Sequence, residues 1–150
     1  MDLYSIALFT HIVGAVLVFV LLTIEGLGLR FGFAYAPLNR ILGPISAAAI
    51  LIPGLYMMAV QWCWAGWVVV GITTYVLIAA IGAYTGINVM RGRMNRQTAM
   101  VTWLVRIGMA LGVLFDMTVK PNLPIAAGVV LVGAVIVGAS SLVRRREIAA

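Results

Sequence analysis

Long apolar runs, broken only by short polar or Gly- and Pro-containing turns, set the pattern of this chain. Five runs can be read, at about 3–29, 41–60, 67–90, 99–119 and 124–143. Each meets or exceeds the roughly 20 residues that a helix needs to cross about 30 Å of hydrocarbon. Turn signals separate them: Ala36-Pro37-Leu38-Asn39, Ala65-Gly66, Arg91-Gly92-Arg93 and Lys120-Pro121-Asn122-Leu123-Pro124. Pro44 falls in the first turn of the second run, where a helix tolerates it, whereas Pro53 lies further in and should kink it. The pattern predicts an all-α fold: one polytopic membrane helix bundle of five transmembrane helices over 1–150.

Composition agrees. The 150 residues are 64% hydrophobic and 9% charged, with a mean hydropathy of +1.14. A soluble domain carries about 25% charged residues, so the solvent implied here is lipid. The net charge of +6 does not imply nucleic acid, because the basic residues form no face with interleaved aromatics. They cluster instead at the ends of apolar runs. One cysteine, Cys63, excludes an intrachain disulfide and a cysteine-only metal site. Met1-Asp2-Leu3-Tyr4 lacks the basic start of a signal peptide, so the first run is expected to stay as a helix.

The charges orient the bundle. With five spans, the first and third connections and the C-terminus share one side. Those regions hold Arg30 and Arg40, then Arg91, Arg93 and Arg96, then Arg144, Arg145 and Arg146, eight of the ten Lys and Arg. The positive-inside rule then places the N-terminus outside and the C-terminus in the cytoplasm; the expected location is a bacterial inner membrane. A four-span reading would split those arginines across the membrane. Trp62, Trp64 and Trp67 suit the outer interface, and Phe31, Phe33, Tyr35 and Trp103 the inner one. Gly82-xxx-Gly86 and Gly108-xxx-Gly112 permit close helix approach, within the chain or between copies of a homo-oligomer.

Charged or titratable groups in hydrocarbon cost a few kcal/mol each unless paired or wetted. His11, Glu25, Arg106 and Asp116 lie inside the runs and are the candidate site. At about 1.5 Å of rise per residue, antiparallel packing of the first and fourth helices would bring Glu25 towards Arg106 and His11 towards Asp116. His11 and Glu25 are fourteen residues apart, nearly four whole turns, and share a face. The expectation is a polar seam binding or passing a ligand, ion, proton or metal cofactor. One alternative is a haem-binding membrane redox protein using His11; the other is ion pairing that only fixes helix register, in a structural or partner-binding subunit. His11 could be a satisfied polar residue, a proton-transfer group, or an axial haem or metal ligand oriented by Asp116. Met109 and Met117 could serve as soft ligands for copper or as apolar filler. Nucleotide loops, nucleophile elbows, zinc spacings and paired catalytic carboxylates do not occur, so a non-catalytic role leads.

Phe9-Thr10-His11-Ile12-Val13-Gly14-Ala15-Val16 resembles the opening of small bacterial membrane proteins in the broad group around copper-resistance protein D. Ile41-Leu42-Gly43-Pro44 and the stretch from Arg106 to Lys120, ending Met117-Thr118-Val119-Lys120-Pro121, look like an uncharacterised branch of that group. The resemblance implies a compact helical bundle. A related branch is linked to tetrapyrrole metabolism and uses a first-helix histidine as a haem ligand; His11 is the residue here that matches that position. The chain has no second histidine, and the copper-binding parts of the larger relatives have no counterpart in it.

Overall fold

A computed structural model of the chain describes the backbone of residues 2–149 and the side chains of 2–140. The Arg144–Arg146 cluster used above as an orientation signal therefore lies outside the described side chains. Among the described residues there is no strand; five helices are each long and apolar enough to cross a membrane. They gather into two compact units, Met1–Trp64 and Ala65–Ala150.

The first unit is an antiparallel pair of helices, α1 (Leu3–Phe31) and α2 (Ala36–Met57). Asp2 starts α1, its carboxylate accepting the Ser5 amide at 2.8 Å, which satisfies one of the orphan donors of the first turn. Gly32 ends it in the left-handed conformation (φ 82°), its N–H reaching the Gly28 carbonyl, because only glycine takes that geometry without penalty. Ala36-Pro37-Leu38-Asn39 is not the turn that the sequence suggested. It forms the first turn of α2, where the fixed φ of proline is preorganised and its missing N–H costs nothing. Pro44 consequently sits inside the helix along with Pro53.

Beyond Pro53, α2 loosens into a π-helical turn at Met58–Trp62, where the Met58 N–H faces the carbonyls of both Gly54 and Leu55. The turn closes at Cys63, a non-glycine residue at φ 48° and ψ −147°, a costly backbone state. The Trp62 indole N–H donates to the Tyr4 hydroxyl at 3.2 Å, tying this turn to the start of α1. Midway along the pair, Gly14 lets α2 come close: a β-carbon there would lie 2.9 Å from the Ala49 carbonyl carbon.

The second unit is built from α3 (Gly66–Met90), α4 (Arg96–Val119) and α5 (Leu123–Ala149). Each turn chemistry does what its residues allow. Gly92 takes φ 65° after α3, Asn95 caps α4 by accepting the Thr98 amide at 2.7 Å, and Asn122 accepts the Ile125 amide at 3.2 Å. Lys120 ends α4 in the left-handed region, its N–H on the Asp116 carbonyl at 2.8 Å. Its ammonium lies 5.9 Å from the Trp67 ring centre, a cation–π distance.

Glycines set the closeness of α4 and α5. A β-carbon on Gly108 would run into the Gly133 carbonyl, and one on Gly112 would lie 2.7 Å from the Val130 Cα. The Gly108-xxx-Gly112 stripe is thus occupied within the chain. Gly82 and Gly86 divide: Gly82 faces the Arg106 guanidinium, while nothing lies within 4 Å of a β-carbon on Gly86.

Candidate functional site

The four candidate residues fall two to each unit. His11 and Glu25 lie on α1; Arg106 and Asp116 lie on α4. The two helices of the expected seam thus belong to different units, and each unit holds one pair.

In the first unit His11 is half-buried against α2. Its Nδ1 lies 2.8 Å from the Ile50 carbonyl oxygen. A carbonyl only accepts, so Nδ1 carries the proton and donates. Pro53 has no N–H for the carbonyl four residues back, that of Ala49, and Ile50 is the next carbonyl along. Gly54 completes the seat: a β-carbon there would stand 3.2 Å from the imidazole. Fixing Nδ1 in this way leaves Nε2 as the nitrogen with a lone pair in the neutral ring. Nε2 makes no hydrogen bond among the described residues. Glu25, four turns further along α1, is buried and is not without a partner.

In the second unit α3 receives Arg106. The guanidinium occupies the space over Gly82, where a β-carbon would come within 2.8 Å of one of its terminal nitrogens, and the residue is 3% exposed. One turn back along α4, Thr102 donates to the Ala99 carbonyl at 2.8 Å and accepts from Thr85 of α3 at 3.1 Å. Thr85 is completely buried. This threonine pair was not singled out from the sequence. The available signal was the four-residue step from Thr102 to Arg106, which places both on one helix face.

Asp116 has the most unusual surroundings of the four. Its exposure is 0%, and neither carboxyl oxygen has a hydrogen-bond partner. Ten residues separate it from Arg106 on the same helix, roughly 15 Å of rise. Buried polar groups are nearly always hydrogen-bonded, so an orphaned one calls for a reason.

The two candidate thioethers do not converge. Met109 is buried, whereas the Met117 methyl reaches Gly71 on α3, and eight residues of α4 separate them by roughly 12 Å. Among the described residues no three His, Cys, Asp or Glu side chains gather as a metal site. The chain matches no protein-family model, no curated protein and no solved structure with which it was compared.

Proposed function

We propose that this is a multi-pass membrane protein, most consistent with a bacterial inner membrane, that binds or passes a small ligand, ion or proton through polar groups held inside apolar helices. The reading is non-catalytic. The observation that carries it is Asp116, a carboxyl sealed inside a span with both oxygens unsatisfied. A group of that kind serves no packing purpose, because an apolar residue of similar size would pack there at no polar cost. Arg106 and Glu25, also buried in spans, add to the polar content of the two units. Basic residues at the first and third connections support an N-terminus outside and a C-terminus in the cytoplasm.

Reconstitution tests this. Vesicles holding the protein are probed in turn with a trapped pH dye, with sodium, potassium and copper ions, and by binding of each. Wild-type protein is expected to respond to at least one probe, and Asp116→Asn to lose most of that response. Silence towards every probe, with wild type and variant alike, contradicts the reading.

A second reading rests on a separate observation. His11 presents an unengaged Nε2 while its Nδ1 is held by a backbone carbonyl, the orientation that metal-ligating imidazoles adopt. On this reading the protein holds haem or copper at His11. A visible absorption band of haem in purified protein, lost in His11→Ala, supports it; colourless, metal-free protein contradicts it.

A further inference from the structure

We infer that the occupant of the Asp116 site is a proton, exchanged with water, and not a metal cation. This deepens the reading of Asp116 given above and rests on it.

Inside a membrane a helix offers acceptors and few donors. Mid-helix N–H groups are already used by the intrahelical ladder, so no backbone donor is spare. Carbonyl oxygens are different, because each keeps a second lone pair. Side-chain donors on these helices use it repeatedly: Thr10 donates to Ile6, Thr23 to Phe19 and Thr118 to Leu114, at 2.9, 2.8 and 2.7 Å. An ionised carboxylate only accepts and finds nothing to accept from. A carboxylic acid has an O–H and can donate. The surroundings of Asp116 thus suit the form that carries the proton.

Charge leads to the same assignment. The helices packed on α4 in this unit are α3 and α5. Neither α3 nor the described part of α5 contains an Asp, Glu, Lys, Arg or His; their only titratable side chains are the phenols Tyr75 and Tyr84. On α4 itself the charged groups nearest Asp116 are Lys120, at the helix end, and Arg106, roughly 15 Å away. A hard metal cation needs several oxygen ligands, and among the described residues of its own unit Asp116 has no second carboxylate with which to share one. A proton needs only the one group. Its route is short, since Asp116 stands one turn, roughly 6 Å, from the exposed C-cap at Lys120.

Infrared difference spectroscopy of the protein in lipid vesicles, wild type minus Asp116→Asn, tests the inference. The expected result is a protonated-carboxyl C=O band that belongs to Asp116, shifts when water is replaced by heavy water, and persists when sodium, potassium or magnesium is added. Asp116→Glu is expected to keep such a band, which guards against misfolding of the asparagine variant. Loss of the band on adding one of those cations would overturn the proton assignment and leave an ion site at Asp116 standing. A band that never responds to heavy water overturns exchange. Carboxylate bands alone, unchanged by every cation, overturn both the inference and the reading beneath it.

Discussion

His11 and Asp116 stand in the same kind of surroundings, an apolar helix packed against its neighbours, and they fare in opposite ways. The imidazole finds a partner at 2.8 Å on the adjacent helix; the carboxyl finds none. The difference is the sign of the hydrogen bond each can make. Helices have lone pairs to spare and no N–H groups to spare, so a buried donor is easily accommodated and a buried acceptor is stranded. One unit has satisfied its titratable group through the Ile50 carbonyl, beside Gly54, which leaves room for the ring. The other leaves its own without a partner on α4, the helix that α5 approaches closely at Gly108 and Gly112.

The strongest way to break the comparison is to break that contact. Gly108→Ala pushes a methyl into the Gly133 carbonyl and is expected to cost about 1–3 kcal/mol or more, as overpacking does. Thermal unfolding in mild detergent checks it. Gly128→Ala is the control: nothing lies within 4 Å of its added methyl, so helix propensity alone should hold stability level or raise it by up to about 1 kcal/mol.

A paired substitution sharpens the contrast directly. Asp116→Leu removes an unsatisfied buried polar group and should leave stability unchanged or raise it, by about 1–3 kcal/mol. His11→Leu removes a made hydrogen bond and should lower it by about 1 kcal/mol. Denaturant or thermal titration of both variants reads the two signs. Equal losses would mean that Asp116 has a partner after all and that the contrast is unfounded.

Much of this was legible in the sequence. Five runs became five helices, and Arg106, Asp116 and Glu25 were marked by their apolar surroundings alone and are all buried. The start of α2 was not legible, because Pro37 reads equally as a turn residue and as a first-turn helix residue. The seat of His11 was hidden for a different reason. Its partner is a backbone carbonyl thirty-nine residues away, and every residue has a carbonyl, so residue identity carries no signal of it. Gly82 was read as a helix-contact glycine; its neighbour is the Arg106 side chain, a pairing that depends on the register of α3 against α4.

The smallest expected effect lies at the water-exposed end of the first unit. Asp2 is held below the usual carboxylate range by its hydrogen bonds with the Ser5 side chain and amide. A depressed native value means that the cap stabilises α1 above the unfolded-state pKa, near 4. That contribution fades as pH falls through the lower native value. Amide exchange at Ser5 should therefore accelerate in acid more than at mid-helix positions, and Asp2→Asn should flatten the trend.

The chain has two aspartates, Asp2 and Asp116, which permits the most direct test of the central claim that the second is buried with no donor to its carboxyl oxygens. Carbon-13 labelling of aspartate carboxyls, with NMR in lipid nanodiscs, should resolve two signals. The account predicts that a water-soluble paramagnetic agent broadens the Asp2 signal and leaves that of Asp116 sharp, with no through-space contact from the Asp116 carboxyl to an N–H or O–H donor. Equal broadening of both, or a contact from the Asp116 carboxyl to an N–H or O–H donor, would contradict it.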